Sequence, residues 1–171
     1  QIIDCLTSTA VKHDGMVGHG MVNAGEAVKK ALNTKPVEQP TVDKNLALGK
    51  SITASSIEND SLTPNFAVDG DMGTRWSSDW SYGNQWVIVD LGKTYDLTSA
   101  VLNWEAAYGT SYEFYVSDDG QNWRYAKYQQ NNTVGEVTTN LDAKGRYVKI
   151  NFYAKATQYG YSLYELAIMG H

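Results

Sequence analysis

Three groups of residues in this chain carry chemistry at close spacing. Asp69, Asp71 and Thr74 fall within six residues around Gly70 and Gly73. Carboxylate, hydroxyl and turned-in carbonyl oxygens at that density suit a hard cation such as Ca2+, which takes roughly six to eight oxygen ligands. The competing reading is a solvated acidic turn. A second group is aromatic. Tyr159 and Tyr161 straddle Gly160 in a predicted loop, and Trp80 and Tyr82 lie in another, Ser77 to Asn84. Asp79 stands beside Trp80, and Glu58 and Asp60 follow the first predicted strand. Sugars stack their C–H faces on such rings while flanking polar groups read the hydroxyls; the plain reading of any one tyrosine is a half-buried edge residue. The third group is Cys5, Ser8, His13 and His19, which lie within 15 residues and invite a hydrolase reading. No strand-turn nucleophile elbow surrounds any of them, and Gly18-His19-Gly20 reads as a turn. Glu58 with Asp79 imitates the paired carboxylates of a glycosidase, but a shallow loop tip does not exclude water or raise one pKa. Binding, not catalysis, is the expectation.

The elements that must position these residues change character along the chain. Residues 1–33 read as helical. Ile2, Ile3, Leu6 and Ala10 recur at helical spacing, and Asn23 with Glu26 forms a capping box for a second helix. Residues 34–44 hold two of the three prolines and no apolar period, as a linker does. From Asn45 the period is two. Trp86–Leu91, Tyr112/Phe114/Val116, Val148/Ile150/Phe152 and Tyr164/Leu166/Ile168 read as strands. Turn signals separate them at Leu91-Gly92-Lys93, Asp118-Asp119-Gly120 and Lys144-Gly145. Several short strands at this spacing predict an all-β sandwich or barrel. Trp76, Trp86, Trp104 and Trp123 are expected in its core. Arg75 is expected to pair with a core carboxylate, and Trp104-Glu105 has a smaller claim on the ligand end.

The chain has 171 residues, enough for one domain plus a smaller segment. It carries 14 Lys+Arg against 19 Asp+Glu, a net charge of −5. The excess falls after residue 44, which disfavours nucleic acid and anionic membrane surfaces. One cysteine excludes an internal disulfide, and no apolar run nears the roughly 20 residues of a membrane span. The chain opens on Gln1 without a signal peptide, and we expect a piece of a longer polypeptide.

Residues 45–170 resemble the discoidin, or coagulation factor 5/8 C-terminal, type of domain, and within it carbohydrate-binding module family 32. The resemblance is carried by Asn45-Leu46-Ala47-Leu48-Gly49-Lys50, by Ala67-Val68-Asp69-Gly70 leading to Thr74-Arg75-Trp76, and by Gln85 through Gly92. Trp104-Glu105, Tyr112 to Trp123, Gly145 to Lys149 and the Glu165 strand complete it. It implies a galactose-binding-like jelly-roll β-sandwich with ligand loops at one end. It implies a structural Ca2+ held by side-chain oxygens of Asp69 and Glu165, by Thr74, and by the carbonyls of Phe66 and Asp71. It implies a glycan partner, with Tyr161 as the main platform, Glu58 and Asp79 as acceptors, and Trp80, Tyr159 and Asp60 around them. Ala106-Ala107-Tyr108-Gly109 and the Tyr159–Leu163 stretch resemble members that bind chitosan or β-linked glucans and mannans. The domain has no His before His171, which argues against a galactose preference. A discoidin-type protein or cell-surface adhesion module is the rival. Residues 1–33 resemble the C-terminal end of a subtilisin-like protease, through Ile3 to Ala10 and Gly18 to Ala24. The expected whole is a monomeric, secreted or cell-surface bacterial module that tethers an enzyme, with no nucleic acid partner and no membrane insertion.

Overall fold

The computed structural model describes residues 10–11, 21–22, 41–81 and 83–171. The chain divides into two compact units, Gln1–Thr41 and Val42–His171. In the first unit, strand β1 (Ala10–Val11) pairs antiparallel with β2 (Met21–Val22). Ala10, expected on a helix, is therefore in a strand, as are Val11 and Val22, whose β-branched side chains suit extended backbone. The other residues expected to be helical, the expected linker up to residue 40, Cys5, Ser8, His13 and His19 lie outside the described residues, as does Tyr82.

The second unit is built from β3 (Lys44–Asn45), β4 (Ser51–Ala54), a 3₁₀ turn (Pro64–Ala67), β5 (Trp76–Ser77), β6 (Gln85–Trp104), β7 (Gly109–Ser117), β8 (Arg124–Gln130), β9 (Gly135–Lys155) and β10 (Ser162–Gly170). β3 takes in Lys44, which the sequence reading left in the linker. All the pairings are antiparallel, as expected of an all-β jelly-roll sandwich.

Two long strands make the two layers. The first half of β6 lies between β4 and the second half of β9, which in turn pairs with β7, and β7 with β8. The second half of β6 lies between β10 and the first half of β9. The turn signals at 91–93 and 144–145 mark the corners where β6 and β9 pass between layers. At the first, Gly92 adopts φ +90°, a conformation open to glycine, and its N–H reaches Asp90 Oδ1 at 2.8 Å. Arg146 then clamps Asp90 through two bonds of 2.8 Å.

Alternation decides what each face holds. Val87, Val89 and Leu91 point inward, with Phe114, Ile150, Phe152, Leu166 and Ile168. Trp104 of one layer meets Phe152 edge-on at 5.4 Å and Tyr112 at 5.8 Å in the other, closing the core. Trp76 and Trp104 are buried as expected. Trp86 and Trp123 are not core residues. Trp86 alternates with Val87 and so faces outward, and Trp123 precedes β8; both are half-buried and flank the Lys149 ammonium, 5.6 and 5.8 Å from its nitrogen. Among the described residues, no helix is long and apolar enough to cross a membrane.

Candidate functional site: an aromatic loop end and an acidic loop

The start of β10 gathers the loops at one end of the sandwich. Ser162 and Leu163 pair with Ser77 and Trp76, and Leu163 with Trp104. The loop before β10 is zipped to the loop after β5. Ser78 N–H donates to the Tyr161 carbonyl, and Tyr161 N–H to Ser78 Oγ, each at 2.9 Å. Gly160 lies against this backbone so closely that a Cβ there would meet the Ser78 carbonyl and stand 2.6 Å from that of Asp79. The contact sets Trp80 and Tyr159 side by side, rings edge to face with centroids 5.1 Å apart. They are 53% and 46% exposed. Lys155 supports the pair from below, donating to the carbonyls of Trp80 (3.3 Å) and Ser81 (3.2 Å).

Tyr161 is placed differently from expectation. It is 2% exposed, and its ring stacks on Phe152 at 5.1 Å. Burial pushes its hydroxyl up to about 12. It is a core residue and offers no face to a sugar. The Tyr-Gly-Tyr stretch puts only its first ring outside, because the Gly160 contact draws the second under the sheet.

Asp79 also has a more internal task than hydroxyl reading. Its Oδ1 accepts from Ser81 N–H (3.2 Å), Ser81 Oγ (2.7 Å) and Gln85 Nε2 (3.0 Å). The Ser81 hydroxyl bond holds its carboxyl below the usual range, against a smaller burial effect. Gln85, buried, accepts in turn from the Ser55 and Ser56 hydroxyls. That network fastens the Glu58 loop to the Trp80 loop, together with Glu58 N–H on the Ser77 carbonyl at 2.8 Å. Glu58 and Asp60 are exposed on that loop. Glu58 follows the anchored backbone, whereas Asp60 sits further along in a turn closed by Asn59.

Arg75 and Glu105 both meet Ser162. Arg75, expected to pair with a core carboxylate, donates Nε–H to Ser162 Oγ at 2.8 Å. Glu105 N–H donates to the Ser162 carbonyl at 3.0 Å, and its Oε2 accepts from Ala107 N–H at 2.9 Å. Arg75 and Glu105 are half-buried polar groups beside the aromatic pair's loop. Their signal was position: each adjoins a buried tryptophan at a strand end, where alternation turns the neighbour outward.

The acidic loop lies against β10. Asp69 accepts from Asp71 N–H (2.8 Å) and Thr74 Oγ1 (2.9 Å), and the Asp71 carbonyl accepts from Thr74 Oγ1 (3.0 Å). Glu165, 8% exposed, takes Gly70 N–H at 2.8 Å. Burial pushes its carboxyl above the usual range, the Gly70 N–H opposes that, and Asp69 adds to the rise. Phe66 stands in the adjoining 3₁₀ turn. Among the described residues, no three of His, Cys, Asp and Glu form a metal-binding group. An oxygen set of two neighbouring carboxylates, a hydroxyl and carbonyls fits a hard cation and not a transition metal.

As chemistry, the aromatic end can stack and hydrogen-bond. The Ser81 hydroxyl favours the ionised form of Asp79, which therefore lacks the apolar setting that keeps a catalytic acid protonated.

Comparison with known proteins bears on the family and the fold. The family model of the F5/8 type C domain matches residues 51–166. Chitosan-binding module 1 of a chitosanase/glucanase from Paenibacillus sp. IK-5 is 37% identical, with a TM-score of 0.70 over 74% of this chain and 99% of that one. Chitosan-binding module 2 of the same enzyme, solved in complex with chitotriose, is 34% identical, with a TM-score of 0.69 over 72% of this chain and 98% of that one. A polysaccharide lyase 8 family protein of Enterococcus faecalis is 33% identical over 118 residues, 61% of this chain. The match spans only 8% of that relative's length.

Proposed function

The chain belongs to the F5/8 type C domain family, and from that premise we propose that it is a non-catalytic carbohydrate-binding module whose loop end takes a β-linked glycan. The observation that carries this is the exposed, edge-to-face Trp80–Tyr159 pair, held in place by the Gly160 contact. Two exposed rings set at an angle offer C–H stacking, and Glu58, Glu105 and Arg75 on the adjoining loops and strand ends offer hydrogen bonding. The chitosan-binding modules, at 37% and 34% identity, support an amino-sugar polymer as ligand class. Carboxylates on these loops suit protonated amines. A shallow face with two rings implies a Kd of roughly 10 µM to 1 mM.

Asp69, Glu165, Thr74 and the carbonyls of Phe66 and Asp71 would hold a Ca2+ that pins the acidic loop to β10; its role is structural. The module would tether a secreted bacterial enzyme to its glycan. A subtilisin-like parent rests on residues 1–33 alone, while the Enterococcus relative favours a carbohydrate-degrading one.

A glycan screen of the full chain in Ca2+, run beside Trp80→Ala, tests the reading. Selective hits that depend on Trp80, with no turnover of the bound glycan, are expected. A blank screen from folded protein would turn the same loops toward a protein ligand.

A further inference from the structure

We propose that the outer face of the β6–β9–β7–β8 layer is a second glycan platform, one that lies along an extended polysaccharide chain. The inference rests on the glycan-binding reading but on different residues. Register puts two cross-strand rows on this face. One runs Trp86, Asn151, Glu113, Tyr128, and the next Ile88, Lys149, Tyr115, Tyr125. Directly opposed residues share a face. Tyr112, Phe114, Ile150 and Phe152, which alternate with them, point into the core. Tyr153 follows Asn151 on the same side, and its hydroxyl reaches Glu113.

The exposed rings are all tyrosines: Tyr125 is 58% exposed, Tyr128 42% and Tyr153 40%. Tyr125 is buttressed edge-on by Tyr115, centroids 5.9 Å apart. A register shift between Phe114 and Tyr115 brings Tyr125 and Tyr128, opposite Tyr115 and Glu113, onto one face, and at about 3.3 Å per residue those two rows stand about 7 Å apart.

The charges of this face are already answered within it. Glu113 Oε2 accepts from the Tyr115 hydroxyl at 2.6 Å and the Tyr153 hydroxyl at 2.7 Å. The Lys149 ammonium lies between the rings of Trp86 and Trp123. The exposed rings carry hydroxyls at their edges, which can hydrogen-bond to a hydroxylated chain. Exposed tyrosine rings edged by hydroxyl, amide and carboxylate groups complement a ligand of C–H faces and hydroxyls. A long chain that touched both this face and the loop end would gain by avidity, whereas a short oligosaccharide would use the loop end only.

The test uses the full chain with two probes, insoluble chitosan and a soluble glucosamine trimer. Tyr125→Ala/Tyr128→Ala removes two exposed rings, and circular dichroism and melting temperature check the fold. The expected result is about tenfold weaker binding to the polymer with unchanged binding to the trimer. Trp80→Ala is expected to do the reverse, losing the trimer while keeping part of the polymer binding. Polymer binding that is unchanged in the double variant would overturn the second platform, as would its complete loss in Trp80→Ala alone. Trimer binding that survives Trp80→Ala would instead overturn the loop-end reading. Concentration-dependent dimerisation that the double variant abolishes would assign the face to self-association and overturn the proposal.

Discussion

Trp80 and Tyr161 sit at either end of one loop contact and should behave oppositely when truncated. Trp80 is exposed and touches Tyr159, so Trp80→Ala should leave the melting temperature nearly unchanged and weaken glycan binding by at least about tenfold. Tyr161 fills core space against Phe152, so Tyr161→Ala should cost about 3–5 kcal/mol, by analogy with buried aromatic truncations. Thermal or urea unfolding of the two variants separates them. The contrast shows where sequence reading reached its limit. Two tyrosines flanking a glycine look equivalent in the sequence. Which one is exposed depends on a backbone-to-backbone approach between Gly160 and Ser78, 82 positions apart, and no local pattern encodes that distance. Trp86 is the opposite case. Its outward direction was legible, because it is out of phase with Val87, Val89 and Leu91, but tryptophan's apolar bulk outweighed the phase.

At the scale of elements, the loop end depends on close approach and the acidic loop on neutralised charge. Gly160→Ala forces a methyl into the carbonyls of Ser78 and Asp79. It should push the two loops apart, lower the melting temperature and weaken binding without removing any contact group. A titration of this variant that matched wild type would show that the ring pair does not depend on the zipped loops. For the acidic loop, Ca2+ should raise the melting temperature at pH 7, because the cation would relieve the cost of a buried Glu165 carboxylate beside Asp69. At about 100 times its Kd a bound ion contributes about 2.7 kcal/mol. Glu165→Gln should blunt the response, and a melting curve indifferent to Ca2+ and to a chelator would remove the cation. The strands themselves were largely readable from their period of two. The corners at Gly92 and Gly145 were readable as breaks, but not as points where one strand continues into the other layer; that is fixed by pairing partners, which lie far off in the chain.

For the whole molecule, the carboxylates outside the acidic loop set the response to acid. The bidentate Arg146 pair holds Asp90 below the usual range against a smaller burial effect, and N–H donors at the 119–122 turn hold Asp119 below it too. A lowered folded pKa gives stability that is complete above the unfolded value near 4 and is lost as pH falls through the folded value. Stability should therefore hold from pH 7 to about 5 and decline below about 4. Asp90→Asn should lower the melting temperature at neutral pH and change it little at pH 2. Equal losses at both pH values would mean that Asp90 acts by packing and not by charge.

The central claim is that the Trp80–Tyr159 pair is the glycan platform. Calorimetric titration of the full chain and of Trp80→Ala with a glucosamine trimer, in Ca2+, addresses it most directly. Saturable binding by the wild type at roughly 10 µM to 1 mM, lost in a variant of unchanged melting temperature, is the expected result. Equal affinity in the two proteins would contradict the account and place the sugar elsewhere on the sandwich.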